Sequence, residues 1–483
     1  MIPATSTWKA LAQAGSGGAA PLIGAFAITG YPRIFCTSPT GLANFYPWIS
    51  AGNAGSLTMS VNDLEGGSNV GDLSFTVTDI NRQLTQDFQG GANLMGLVCT
   101  LMVGFPNLPQ SQWITLMTLV VDHIDLANQN TGYKFTLRDN STLMQQYSFQ
   151  VADDGYPTST GHIATVKLDP MTAVYEAVIQ SGLPPANINN AALINLRDTV
   201  YFGFNVYFQI TYPPRAKDWI EQEIFKPLGA YWFWNYLGQL TPYSMLPYAP
   251  PTPVMVLDET NIDVQTPPVP MRSSDYTAVI IYKIDGDSNG QNFQTIIVSE
   301  FAPAVNLYGI AQSKIIQSRG VRSSIGGGRM AYLTTQNVFS RYGLKPLTYK
   351  PRCFLPAMLL EIGDKVTMNH PQVPNALWAS QFRNPGTMGI TGTLWEVKGK
   401  TVDLNDGSVQ LDLLDVSWQI INPGFYIAPD GTGPYSVGNQ GRATNYMYYS
   451  SDGQSIIGTS PASISALTTD ATYENGDTAR LLF

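Results

Sequence analysis

At 483 residues the chain is long for a single hydrophobic core and suits roughly two to four domains. Only 13% of the residues are charged, about half the usual share, and Gly, Pro and Tyr (44, 33 and 25 residues) fill the gap, a mixture that favours short strands, many turns and neutral surfaces. A net charge of −9 without a Lys/Arg cluster argues against nucleic-acid binding, and three scattered cysteines (Cys36, Cys99, Cys353) are too few for a disulfide framework or a thiolate metal site.

Residues 1–30 are Ala- and Gly-rich, with GSGGAA at Gly15–Ala20, and read as an N-terminal arm. They lack a charged stretch followed by a continuous apolar core, so no secretory signal is read and folding in a cytoplasm is expected. Residues 31–160 read as strands: SLTMSVNDL and LSFTVTDI alternate apolar and polar, GLVCTLMVGF follows, and Asp153, Asp154 and Gly155 mark a late turn. The apolar run around Cys99 is too short to cross a membrane, and its thiol reads as buried. This pattern predicts a first β-barrel or sandwich.

Residues 161–275 change character. Asp169 caps a helix in DPMTAVYEAVIQSG that Gly182 ends, a second helix fits NNAALINLRDT, and a third fits RAKDWIEQEIFKPLG, with Trp219, Ile220, Ile224 and Phe225 on one side. YWFWNYLGQLTPYSML then reads as a hairpin turning at Leu237 and Gly238, which makes this region an α+β insertion. Residues 276–420 return to strands. DYTAVIIYKIDGDSNGQNFQTIIV reads as a hairpin, VNLYGIAQSKIIQSRG and GGRMAYLTTQNVFSRYG as helices, and CFLPAMLLEIGDKVTMNH as strands of a second barrel. Residues 421–483 have too few aliphatic residues for a core and are expected to lie extended along another surface.

Two distant stretches read as one structural piece. TLVVDHIDLANQNTGYKFTLRD (Thr118–Asp139) and TLWEVKGKTVDLNDGSVQLDLLD (Thr393–Asp415) each contain an alternating strand, an Asp-Leu pair (Asp125, Leu126; Asp403, Leu404), a turn, and a second strand closing on Asp. They are expected to be corresponding hairpins of two barrels, with two extra residues of the first absorbed near Asn128–Gly132. A unit built twice points to architecture rather than chemistry.

The residues that could carry chemistry have plainer readings. Asp285, Asp287, Asn289 and Gly290 reproduce half of a calcium loop, but Ile296 stands where a bidentate Glu is required, so a polar hairpin turn is expected. Asp122 should face away from His123 and Asp125 on a strand, and His162 and His370 lie in loop-like sequence. GSGGAA and Gly326–Gly328 lack the lysine of a phosphate loop. Nothing singles out a pair such as Asp153 and Glu361 for glycoside hydrolysis. The aromatic run Tyr231–Tyr236 could stack on sugars but reads as core or interface. No catalytic, cofactor-binding or metal-binding residue is assigned.

Taken in order, FCTS (Phe35–Ser38), VVDHIDL with YKFTLRD, NLRDTVYFGFNVYFQITYPPRAKDWIEQEIFKPLGAYWFW, LLEIGDKVTMNHP and GITGTLWEVKGKTVDLNDGSVQLDLLD give the chain a resemblance over most of its length. It resembles the central tail-hub (baseplate or tail-tip hub) proteins of tailed bacteriophages and gene transfer agents. The resemblance implies a mainly β chain with two similar β-barrel hub domains and an α+β insertion between them. Three chains would form a pseudo-sixfold ring around the tail axis that frames the DNA exit channel. Implied partners are the distal tail protein ring or tail tube protein, the tape measure protein, and receptor-binding or tail fibre proteins. No cofactor, specific nucleic-acid binding or transmembrane segment is implied, and the place is the virion tail tip. The expected function is a structural hub without catalytic activity. The alternative is a carbohydrate-binding or glycan-degrading β-protein of the tail tip.

Overall fold

The computed structural model describes residues 1–15, 21–71, 73–127, 131–146, 148, 164–210, 213–245, 252–263, 271–272, 276–287, 290–374, 388–416, 447–450 and 479–482. Its first part comprises a helix α1 (Ser6–Gly15) and strands β1 (Ile23–Ile28), β2 (Ile34–Cys36), β3 (Phe45–Tyr46), β4 (Ser56–Asn62), β5 (Gly67–Val70), β6 (Leu73–Thr78), β7 (Val98–Gly104), β8 (Ile114–Ala127) and β9 (Gly132–Arg138). A short helix α2 (Gln83–Gln89) joins β6 to β7; the Asp79 carboxylate accepts from the amides of Leu84 and Thr85 at 2.8 and 3.2 Å. Seven strands form one sheet in the order β3-β2-β1-β7-β8-β9-β6. Alternation dictates its inner face: Leu73, Phe75 and Val77 of β6 and Phe135 and Leu137 of β9 are buried. Phe75 stacks on both Phe26 and Phe135, with centroids 3.9 and 4.9 Å away.

The described residues among the first thirty are packed into the fold. Ile2, Trp8 and Ala12 are buried, Trp8 packs on Phe105 at 5.7 Å, and β1 lies between β2 and β7 inside the sheet. Of GSGGAA, only Gly15 is among the described residues.

The insertion holds β10 (Ala164–Leu168) paired with β11 (Val206–Ile210), and helices α3 (Pro170–Gln180) and α4 (Asn190–Thr199). Asp169 caps α3 by accepting from the amides of Met171 and Thr172. The third expected helix is continuous but contains a π turn (Ile220–Phe225) between α5 (Ala216–Trp219) and α6 (Lys226–Leu228), and it ends at Gly229 in the left-handed conformation. The hairpin of β12 (Ala230–Trp234) and β13 (Leu240–Ser244) follows, with every β12 residue buried.

The second part adds β14 (Met255–Leu257), β15 (Met271–Arg272), β16 (Val279–Gly286), β17 (Phe293–Glu300), β18 (Ser313–Gln317), β19 (Leu347–Tyr349), β20 (Arg352–Cys353), β21 (Lys365–Pro374), β22 (Met388–Asp403) and β23 (Val409–Asp415), with helices α7 (Ala302–Tyr308) and α8 (Gly327–Tyr342). The stretch VNLYGIAQSKIIQSRG, expected as one helix, divides: α7 stops at Gly309 (φ 68°), and SKIIQ becomes β18, parallel to β16. The β-branched pair Ile315–Ile316 and an available sheet edge decide against helix there. Beyond β23, only a two-stranded pairing of β24 (Met447–Ser450) with β25 (Ala479–Leu482) is described, so the expectation for residues 421–483 lies largely outside the described residues.

The chain is mainly β, and its two large sheets share a unit. In the first, β6, β7, β8 and β9 run in the spatial order β7-β8-β9-β6; in the second, β21, β22, β23 and then β19 and β20 repeat that arrangement. The registers coincide at a constant separation: Val121↔Leu137 becomes Val397↔Leu413, His123↔Thr136 becomes Gly399↔Asp412, and Leu126↔Tyr133 becomes Val402↔Val409. Each hairpin carries a bulge at the same point, between Val121 and His123 and between Val397 and Gly399. The flanking strand obeys the same rule, with Leu73↔Leu137 matched by Tyr349↔Leu413 and Val77↔Tyr133 by Cys353↔Val409.

This register corrects the sequence alignment. Ala127↔Gly132 corresponds to Asp403, whose amide donates to the Ser408 carbonyl at 2.9 Å, so Asp403 is equivalent to Ala127 and not to Asp125. The two hairpins are equal in length, and no extra residues need absorbing. Neither sheet closes into a barrel by a continuous ladder among the described residues. Each instead has a single antiparallel bridge at the equivalent point, Ile49↔Val77 and Ile262↔Cys353.

The units are knitted together by exchange. β4 pairs antiparallel with β22, from Ser56↔Asp403 to Ser60↔Gly399, so a hairpin from the first part of the chain completes the second sheet.

Candidate functional site

Charged side chains collect where these parts meet. Asp63, in the turn after β4, lies against Lys398 of β22 at 2.7 Å and Arg341 of α8 at 3.4 Å, and it accepts hydrogen bonds from the Tyr342 hydroxyl at 2.7 and 2.8 Å. Glu396 of β22 is paired with both Arg341 and Lys365 of β21, and the Tyr231 hydroxyl of β12 donates to it at 2.9 Å. Lys398 also stands over the Tyr231 ring at 4.6 Å, and Lys365 over Tyr243 of β13 at 5.0 Å. Arg341 bridges the two carboxylates, Asp63 and Glu396.

The cluster is dry: Asp63, Arg341 and Glu396 are 4%, 4% and 1% exposed. Burial alone would raise the carboxyl pKa values. The surrounding cations overcome it, Lys398 and Arg341 lowering Asp63, and Arg341, Lys365 and Lys398 holding Glu396 well below the usual carboxylate range. Burial also lowers Lys398 and raises the Tyr231 and Tyr342 hydroxyls. The neighbouring Lys400, fully buried, donates to the carbonyls of Met358 and Leu360 at 3.1 and 2.5 Å, and burial brings its pKa down to about 8. These charges are spent on one another. The arrangement fixes the hairpin of β4 and β5, the sheet of β22, the insertion and α8 in one geometry.

Sequence reasoning did not find this cluster. Glu396, Lys398 and Lys400 alternate with Trp395, Val397 and Gly399, which looks like a half-solvated strand. The polar side is covered because β4, α8 and β12 pack over it, and those contacts join residues remote in sequence, such as Asp63 and Lys398. The local signal was the density of charge in WEVKGK within a chain otherwise poor in charge.

The residues weighed from sequence do not converge. Asp122 pairs with Arg138 at 2.8 Å, while His123 contacts Asp125 at 2.9 Å on an exposed hairpin. Asp285 accepts from Thr295 Oγ1 and the Ser323 amide, and Asp287 from the Gln291 amide and Asn292 Nδ2, so these carboxylates serve the β16–β17 connection; Asn289 lies outside the described residues. Glu361 accepts from the Tyr236 amide at 3.1 Å; Asp153 and His162 lie outside the described residues. His370 is buried on β21, and burial lowers its pKa. Cys36, Cys99 and Cys353 are buried thiols, Cys36 pushed up to about 12. Gly326–Gly328 open α8. Trp232 and Trp234 are 0% and 2% exposed and meet edge to face at 5.4 Å, so the aromatic run is core. Among the described residues no group of three or more His, Cys, Asp or Glu could hold a metal ion, and no helix is long and apolar enough to cross a membrane.

Comparison with known proteins places tail proteins among the structural neighbours. The chain is similar to a tail protein of Neisseria meningitidis MC58 (9% identity, covering 82% of this chain and 97% of that one, TM-score 0.44). It is also similar to the 43 kDa tail protein of prophage MuSo2 from Shewanella oneidensis (13%, 82% and 98%, TM-score 0.47) and to a prophage tail protein from Listeria monocytogenes EGD-e (9%, 82% and 94%, TM-score 0.41). No family model matches the sequence, and no curated protein matches it.

Proposed function

We infer that the chain is a structural component of a phage-type tail, acting as the hub at its tip. Three copies form a ring in which each chain supplies two similar β-units, so that a threefold assembly offers six comparable docking surfaces to a sixfold tail tube. Distal tail or tube proteins and the tape measure protein would meet this ring on one side and receptor-binding or fibre proteins on the other, around the DNA exit channel. The observation that carries the reading is the duplicated unit, whose pairings and bulge recur at a constant separation from β6–β9 to β19–β23. The sequence resemblance to tail hubs supports it independently.

A non-catalytic role fits the main concentration of charged groups, which is buried and mutually paired. The glycan-binding alternative rested on the aromatic clusters and on carboxylates in turns; of the clusters, Trp232 and Trp234 are in the core. The test is particle mass in solution together with binding to purified tail components. A trimer that binds a tail tube or distal tail ring supports the reading, and a persistent monomer that binds neither contradicts it.

A further inference from the structure

The duplication exposes one place where the two units differ. In the second unit the hairpin edge formed by residues 399–403 of β22 is covered by β4, which pairs with it residue by residue from Gly399↔Ser60 to Asp403↔Ser56. The equivalent edge of the first unit is residues 123–127 of β8. There β7 has already ended, its last pairing being Val98↔Val120, just as the β21 ladder reaches Lys365↔Glu396 beside the covered segment. Among the described residues, 123–127 pair with β9 alone.

Exposure records the difference. Leu126 is 63% exposed, whereas its equivalent Val402 is fully buried. His123 and Asp125 are exposed and touch each other, whereas their equivalents Gly399 and Thr401 are paired with Ser60 and Thr58 of β4. An uncovered strand edge is a template for pairing, and soluble proteins usually blunt one with charged residues, lysine above all, with proline or with a bulge. Residues 123–127 contain neither lysine nor proline. Asp125 is the one acidic residue here, and the bulge before His123 recurs in the second unit, whose edge is paired all the same.

We propose that this edge of β8 accepts a strand from a second copy of the chain, the counterpart between chains of the β4–β22 pairing within one. The inference rests on the ring reading above and names the surface through which the ring closes. Within a chain, β4 carries the contact from the first unit to the second. A closed ring of three requires a contact from the second unit of one chain to the first unit of the next, and the uncovered edge is the matching position. Main-chain hydrogen bonding supplies the adhesion, and Leu126 gains the burial its equivalent already has.

Hydrogen–deuterium exchange on the full chain, with particle mass measured by light scattering on the same samples, tests this. On assembly, the amides of 123–127 that do not face β9 are expected to exchange at least tenfold more slowly. Leu126→Lys, a change at an exposed site, is expected to weaken assembly at least tenfold while leaving the melting temperature unchanged. An assembled trimer whose 123–127 amides exchange as fast as in the monomer, or whose formation ignores Leu126→Lys, overturns the proposal and leaves the ring reading intact. A chain that stays monomeric at high concentration overturns both.

Discussion

Val77 and Cys353 occupy the same place in the two β-units: each faces a single antiparallel bridge from an isoleucine, Ile49 and Ile262 respectively, where the sheet edges approach. One position is filled by a valine and the other by a smaller buried thiol. Cys353→Val adds one methyl-sized group at a place whose equivalent already accepts valine, so it should cost less than about 1.5 kcal/mol in urea unfolding. A loss several times larger would mean that the two positions are not equivalent.

Glu396 holds three cations in a dry site, so removing its charge should be costly. Glu396→Gln leaves Arg341, Lys365 and Lys398 facing a neutral amide, and a loss of about 3–5 kcal/mol is expected by denaturant titration at pH 7. The pH dependence has a definite sign. The folded pKa of Glu396 is depressed, so its stabilisation is complete above the ordinary carboxylate range and fades as pH falls through the folded value. The gap between wild type and Glu396→Gln should thus narrow between pH 5 and acid.

Lys400 has a dependence of the same sign at higher pH, here as a burial penalty relieved on deprotonation rather than an attraction gained. Its folded pKa of about 8 lies below the ordinary value of 10.5, so between these the unfolded chain binds more protons and stability rises with pH. Relative to Lys400→Met, the wild type should gain about 1.4 kcal/mol per pH unit across that window. Parallel stability curves for the two proteins from pH 7 to 10 would show that the ammonium is not desolvated.

Gly104 ends β7 against the face of Trp113, where a Cβ would stand 2.2 Å from the ring. The indole is nearly buried and donates to the Leu108 carbonyl at 3.0 Å, so it has little freedom to yield. Gly104→Ala should lower stability by about 1–3 kcal/mol, measured by thermal unfolding.

The strands and helices with strong local patterns were legible in the sequence. LSFTVT, the Asp169-capped helix and the β12–β13 hairpin each follow from alternation, a cap or a turn glycine. The repeat was visible too, but its register was not. Asp125-Leu126 and Asp403-Leu404 look alike and lie two residues out of true correspondence, and only the shared bulge and the pairings through β6 and β20 align the units. The role of residues 1–30 and the buried cluster were hidden for a related reason. β1 and Glu396 acquire their surroundings from partners remote in sequence, such as β7 and Arg341, and no local pattern encodes such covering.

The central claim is that a two-unit chain assembles in threes, and the most direct measurement is particle mass by light scattering coupled to size-exclusion chromatography. The account predicts a species of three times the 52.6 kDa chain mass at assembling concentrations. A species of 52.6 kDa that persists at high protein concentration would contradict it.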